Sequence, residues 1–250
     1  MEYAAGFAIA VVIALTGVGA GTITAPLLIL GLGIPPGIAV GTALAYSAVV
    51  KIIVVPVQML RHQVNYRVLA FMLAGGIPGV IAGSLLLRSV AHHGHWAPLY
   101  WVLGGIIVFS STWHIFRHFK PPTGSHGSRQ KLSWTAAIML PIGVEVGFSS
   151  SGAGALGTVA LMSLTSLPAS QIVGTDLTFG LVLSVVGGGI HALNGLYNVA
   201  LLAKLAVGGV GGAIVGTSIA PRMPNKLLRL ALSTCLLLIG FVFFIRAAGL

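Results

Sequence analysis

Long apolar runs separated by short polar loops dominate the sequence. Runs of about 20 apolar residues, the length that crosses a bilayer, cover 36–60, 67–88, 97–117, 169–193, 197–220 and 226–247. Two longer runs, at 4–31 and 134–165, are apolar at both ends but carry small or polar residues in the middle. The pattern predicts an all-α polytopic membrane protein in which two of the helices are broken.

The composition supports a membrane location. Hydrophobic residues make up 56% of the 250 residues and charged residues 6%, whereas soluble domains carry about 25% charged residues. The net charge of +10 comes mostly from short loops between the apolar runs. This distribution is typical of the positive-inside bias, so we expect no nucleic-acid partner. We predict a multi-pass protein of the cytoplasmic (inner) membrane.

The chain also repeats itself. Residues 19–84 align with residues 152–217 at a constant offset of 133 and without a gap. Identical residues occupy 19 of the 66 aligned positions, where shared composition alone would give roughly six. The alignment predicts a first transmembrane repeat at 1–120 and a second at 133–250. Residues 121–132, rich in Pro, Gly and Ser, are predicted to form a polar cytoplasmic linker.

The loop charges distinguish two topologies. If both long apolar runs cross the membrane, the protein has eight spans and the loop Lys and Arg residues divide seven against four. If each run enters and leaves on one side, they divide nine against two, which fits the positive-inside bias better. We therefore predict two inverted repeats of about four hydrophobic segments each, with re-entrant helices at 4–31 and 134–165. Eight spans with parallel repeats remain the alternative.

The interruptions in the two long runs are candidates for an anion site. Non-helical backbone at membrane depth is tolerated only inside protein or beside a water-filled cavity. A half-helix that restarts there points N–H groups and a positive dipole end at the cavity. The alternative is that the glycines only permit close helix packing. The predicted substrate-binding residues are Gly19, Gly21, Thr22, Thr24, Thr42, Ser149, Ser150, Ser151, Gly152, Gly154 and Thr175.

Acidic residues are the scarcest polar feature, since the chain has only Glu2, Glu145 and Asp176. A charge at mid-membrane costs about 2.5–3.5 kcal/mol or more, and Asp176 replaces the Ala43 of the first repeat. We interpret Asp176, or else Glu145, as the carrier of a coupling proton or cation. A packing hydrogen bond from Asp176 to neighbouring threonines or backbone is the alternative.

Other polar residues recur at matched positions of the two repeats. Gln58 corresponds to His191 and Asn65 to Asn198, and we place all four along the transport pathway. An interfacial histidine with satisfied hydrogen bonds is the alternative for His191. Lys51 lies inside a span, where its long side chain could either snorkel to the interface or contact substrate.

Enzyme chemistry finds no support in the motifs. The chain has a single cysteine, no metal-ligand spacing, no phosphate-binding loop and no nucleophile elbow. We therefore expect no enzyme activity, no cofactor and no bound metal.

The order of the paired elements resembles a known family. A Gly-rich turn leads to Pro26 and is followed by Pro35 and Gly41-Thr42, with matching elements in the second half. Together with the His191-x-x-x-Gly195 element, this set resembles the sulfite exporter TauE/SafE family, also called the toluene sulfonate uptake permease family. The resemblance implies transport of sulfite, organosulfonates or other small organic anions. Asn198 stands where the family commonly has an Asp.

These features predict a secondary active transporter. Because the chain has no ATP-binding motif, an ion gradient would drive transport by alternating access between the repeats. The expected partners are a small anionic substrate, a coupling proton or cation and the lipid bilayer. A passive anion channel, a transporter of another organic anion and a membrane assembly subunit are the alternatives. The sequence leaves the direction of transport and the oligomeric state open.

Overall fold

The computed structural model describes most of both halves of the chain. It covers residues 2–16, 20–93, 132–150 and 156–219, with a few more between 100 and 112 and between 237 and 245. The predicted spans at 97–117 and 226–247 lie largely outside the described residues, as does nearly all of the predicted linker at 121–132.

Within these ranges the protein is helical and has no strand. The helices are α1 (Glu2–Thr16), α2 (Ala20–Pro26, continued by a π turn at Leu27–Gly31), α3 (Pro36–Leu60), α4 (Tyr66–His93), α5 (Leu132–Ser149), α6 (Leu156–Leu164), α7 (Ala169–Leu193) and α8 (Val199–Ile219). Four helices, α3, α4, α7 and α8, are long and apolar enough to cross a membrane. The prediction of an all-α polytopic class is confirmed.

Local sequence sets where the long helices begin. Proline precedes α3 and α7, at Pro35 and Pro168, where its fixed φ suits the entry into a helix. Asparagine precedes α4 and α8. The Asn65 Oδ1 atom accepts the backbone N–H of Val68 at 3.1 Å, and Asn198 makes the equivalent cap on α8 at 3.0 Å. These side chains satisfy N–H groups that the first helical turn leaves unpaired.

Helices α3 and α7 cross at the centre of the bundle and run antiparallel. Ser184 of α7 donates to Ser47 of α3 across 3.1 Å. Gly188 lies beside Ala45, and Gly41 lies beside His191. Residue numbers therefore rise along α3 as they fall along α7.

The outer helices form two parallel pairs, α1 with α8 and α4 with α5. Glycines on α8 and α4 lie against backbone carbonyls of the facing helix, which only a residue without a side chain permits. The contacting pairs are Gly208 with Tyr3, Gly212 with Phe7, Gly75 with Ala136 and Gly79 with Leu140. Because both members of each pair advance by four residues together, the paired helices run in the same direction. The glycine stripes serve close packing.

Each broken apolar run begins and ends towards one end of the bundle. The backbone N–H of Asn198 donates to Thr42 Oγ1 at 3.0 Å, so α8 starts beside the start of α3. Since α1 is parallel to α8, the stretch 2–35, which contains the first broken run, both starts and finishes towards that end. At the opposite end, Asn65 donates to Thr175 Oγ1 at 2.9 Å, and the run 132–168 is arranged in the same way.

Candidate functional site

The two broken runs meet inside the bundle, where Gly21 of α2 lies against Ser150 at the end of α5. A methyl group on Gly21 would overlap both the carbonyl oxygen and the hydroxyl oxygen of Ser150. Ser150 has a φ of 67°, a left-handed conformation that costs a non-glycine residue about 1–3 kcal/mol. Its buried hydroxyl has no hydrogen-bond partner among the described residues. A strained backbone and a buried hydroxyl without a partner among the described residues coincide here, which makes this contact a candidate binding site.

Glu145 lies one turn before this contact and is buried in α5. The hydroxyl group of Ser149 donates to its Oε1 atom at 3.1 Å. The second candidate carboxylate therefore lies inside the bundle, directly beside a predicted substrate-binding serine.

Asp176 is buried on α7 and faces the short helix α6. Its side chain is 2% exposed, and Thr158 of α6 donates to its Oδ2 atom at 2.8 Å. The other carboxylate oxygen, Oδ1, lies against Gly157 and has no hydrogen-bond partner in the described ranges. The neighbouring Thr178 donates instead to the Gly174 carbonyl. One oxygen of Asp176 is thus bonded to the second broken run, and the other is buried without a hydrogen-bond partner in the described ranges.

Lys51 is a buried cation that sequence reasoning left unassigned. Its side chain is 2% exposed, so it does not snorkel to the interface. The Nζ atom donates to Ser184 Oγ at 3.3 Å, and Ser184 donates onward to Ser47. Lys204, by contrast, is 44% exposed and pairs with Glu2 at 2.7 Å. The sequence contained one signal for the position of Lys51. Lys51 and Ser184 are separated by 133 residues, the same offset that aligns the two halves of the chain.

Lys51 on α3 and Asp176 on α7 are a basic and an acidic side chain that are both buried in the crossing pair of helices. No N–O pair between them falls within the 4.0 Å of a salt bridge. The low dielectric of the interior makes an attraction between opposite charges stronger than in water. The interior therefore contains a basic and an acidic side chain that do not form a salt bridge with each other.

The four residues predicted to line a pathway occupy two different kinds of position. His191 is fully buried, with its Nε2 atom 2.9 Å from the Gly147 carbonyl oxygen of α5. Its Nδ1 atom and the Oε1 atom of Gln58 are buried without a partner in the described part of the chain. Asn65 and Asn198 cap α4 and α8 at opposite ends of the bundle.

The structure brings some predicted site residues together and separates others. Gly21 meets Ser150, and Ser149 meets Glu145, inside the bundle. Thr42 and Thr175 instead accept backbone N–H groups from Asn198 and Asn65. Thr24 is fully buried. The remaining predicted positions, Gly19, Ser151, Gly152, Gly154 and the side chain of Thr22, lie outside the described residues.

Among the residues that the structure describes, no group of three or more His, Cys, Asp or Glu side chains could hold a metal ion.

Comparison with known proteins assigns the chain to a family. The family model described as Sulfite exporter TauE/SafE matches residues 3–243. The chain is 30% identical over 243 residues to the "Probable membrane transporter protein YjnA" of Bacillus subtilis (strain 168), covering 94% of this chain and 95% of that protein. No solved structure matches significantly. The protein is a multi-pass membrane transporter and belongs to the sulfite exporter TauE/SafE family.

Proposed function

We propose that the protein is a secondary active transporter that moves a small sulfur-containing anion, such as sulfite or an organosulfonate, across the cytoplasmic membrane. The observation that carries the proposal is the burial of Asp176 beside the second broken run, with one carboxylate oxygen open. An ionisable residue inside a membrane bundle is costly, and its usual role is in an ion or substrate pathway. The family supports the substrate class.

The contacts favour two inverted repeats. Helices α3 and α7 are equivalent at the offset of 133, since their bounds are Pro36–Leu60 and Ala169–Leu193, and they run antiparallel. The bond from Asn65 to Thr175 recurs as the bond from Asn198 to Thr42, again at that offset. Equivalent helices of opposite direction are what an inverted repeat requires.

The same contacts favour re-entrant broken helices over eight spans. Each broken run begins and ends towards one end of the bundle, and the two runs use opposite ends. Their interrupted parts then approach each other from the two sides and meet at Gly21 and Ser150. Rocking of one repeat against the other would open this meeting point to each side in turn.

The proposed roles follow from these positions. Ser149, Ser150 and the backbone near Gly21 would contact the anion. Asp176 would take up the coupling proton or cation, with Glu145 as the second candidate. A passive anion facilitator would use the same contacts but would not need the carboxylate for accumulation.

Replacement of Asp176 by asparagine tests the coupling role. In proteoliposomes with an imposed proton gradient, we expect Asp176→Asn to lose gradient-driven accumulation of labelled sulfite, because the amide can no longer take up a proton. Glu2→Gln is the matched control. Glu2 lies outside the buried site and pairs with the exposed side chain of Lys204. An Asp176→Asn protein with the full rate and full gradient dependence of the wild type would exclude the assignment.

A further inference from the structure

Lys51 lies where the two halves of the protein are related to each other. It contacts Ser184, the residue at its own equivalent position in the second half. When a two-fold axis relates two halves, a residue meets its own equivalent only close to that axis. The Lys51–Ser184 contact at 3.3 Å therefore lies near the axis, midway between the two ends of the antiparallel α3–α7 pair.

This position suits a group that must serve both sides of a membrane. A residue near the axis of an inverted pair is about equally distant from both ends of the bundle. Conformations that open to one side and then to the other would each reach it. Residues away from the axis, such as Asp176, do not share this property.

The ammonium group of Lys51 has unused hydrogen-bonding capacity. It carries three N–H donors, and in the described part of the chain its one hydrogen-bond partner is the neutral hydroxyl of Ser184. A buried cation with missing partners is costly, and an unbranched apolar side chain of similar length would avoid that cost. The Ser47 and Ser184 hydroxyls lie beside it, 3.1 Å apart. Two open cationic donors next to hydroxyl groups suit the oxygens of an oxyanion.

Asp176 is the acidic residue whose negative charge would oppose the binding of an anion at Lys51. It is buried on α7, the helix that also carries Ser184, and it forms no salt bridge with Lys51. The other titratable groups on the surrounding helices have different partners: Glu145 of α5 with Ser149, His191 of α7 with Gly147, and Lys204 of α8 with Glu2 of α1. An anion bound to Lys51 would repel ionised Asp176, so anion binding and protonation of Asp176 would favour each other.

We propose that Lys51, with Ser47 and Ser184 beside it, forms a second position for the charged group of the transported oxyanion at the crossing of α3 and α7, separate from the contacts at Ser149, Ser150 and Gly21. Ionised Asp176 would oppose anion binding at this second position. The inference rests on the proposed function and assigns it a substrate-binding cation. The ligand class is a small sulfur oxyanion, sulfite or a sulfonate, whose oxygens accept from the Lys51 ammonium and the Ser47 hydroxyl, while Ser184 gives its one hydroxyl hydrogen to Ser47.

Direct binding to the purified full chain tests the role of Lys51. Titration calorimetry in lipid nanodiscs would measure the affinity for sulfite and for sulfoacetate. We expect Lys51→Met, which keeps the length and removes the charge, to weaken binding at least about tenfold, since charge-assisted hydrogen bonds are the strong ones. Lys51→Arg should retain most of the affinity. Lys204→Met is the matched control and should bind as the wild type does, because Lys204 is exposed and already paired.

A second variant keeps the test decisive if Lys51→Met does not fold. Asp176→Asn removes the competing charge and should bind sulfite several-fold more tightly than the wild type, while taking up no proton on binding in weakly buffered solution. Unchanged or weaker binding by Asp176→Asn, or wild-type affinity in folded Lys51→Met, would overturn the inference and leave the transport function standing. If the wild type neither binds nor transports any of these anions, the proposed function itself fails.

Discussion

Replacing Gly21 by alanine probes the contact between the two broken runs. The added methyl group would overlap the carbonyl oxygen and the hydroxyl oxygen of Ser150. The hydroxyl can rotate away, but the carbonyl belongs to the backbone and cannot. The start of α2 and the end of α5 must therefore separate for the variant to fold.

The expected cost follows from two opposing terms. Overpacking of this kind destabilises by about 1–3 kcal/mol, while alanine in a helix gains up to about 1 kcal/mol over glycine. With the full gain from alanine, the net destabilisation is up to about 2 kcal/mol. For a chain of this size each kcal/mol lowers the melting temperature by about 2–4 °C. Because the displaced groups are the proposed anion contacts, sulfite transport should fall by more than the loss of folded protein would explain.

The assay compares Gly21→Ala with Gly189→Ala. A methyl group on Gly189 would meet no heavy atom within 4 Å, so this control should melt at or slightly above the wild-type temperature and transport normally. Thermal unfolding in detergent and sulfite flux in proteoliposomes give the two readouts. Wild-type stability and flux in Gly21→Ala would refute the close approach of the two runs and the site built on it.

Two further results are expected. Thr42→Val and Thr175→Val should each destabilise the protein by about 1–3 kcal/mol in thermal unfolding, because each leaves a backbone N–H without its acceptor. Losses that differ strongly between the two would contradict the equivalence of the two ends. In a Cys235→Ser background, Leu60→Cys and Leu193→Cys, which are 80% and 90% exposed, should react with an impermeant maleimide from opposite sides of the membrane. Reaction from the same side would favour eight spans.

The central helices could be predicted from the sequence with correct bounds. The apolar runs at 36–60 and 169–193 are the helices α3 and α7. Each run follows a proline, Pro35 or Pro168, and ends at a polar residue, Arg61 or Asn194. Local signals of this kind lie within the element that they delimit, so one sequence is enough to read them.

The partners of these helices could not be predicted in the same way. In a membrane, a face that contacts lipid and a face that contacts another helix are both apolar, so periodicity does not tell which helices pair. The parallel pairing of α4 with α5 is one such result. The contact of Gly21 with Ser150 is another, because it joins residues from different halves.

The candidate site could be predicted only in part, because the direction in which a polar side chain points depends on how the helices pack. Asp176 could be identified because a carboxylate in an apolar run is unusual wherever it points. Lys51 could not be assigned, since a long side chain either snorkels or turns inward and sequence does not decide between them. Its burial against Ser184 depends on how α3 and α7 cross.

Gradient-driven uptake in proteoliposomes tests the transport function most directly. Vesicles that contain the purified protein would be given labelled sulfite or sulfoacetate with an imposed proton or sodium gradient, and empty vesicles would serve as the control. We expect at least one of these anions to accumulate above its equilibrium concentration, and accumulation to disappear when the gradient is collapsed. Flux no greater than that of empty vesicles, or flux that only equalises the concentrations, would contradict secondary active transport.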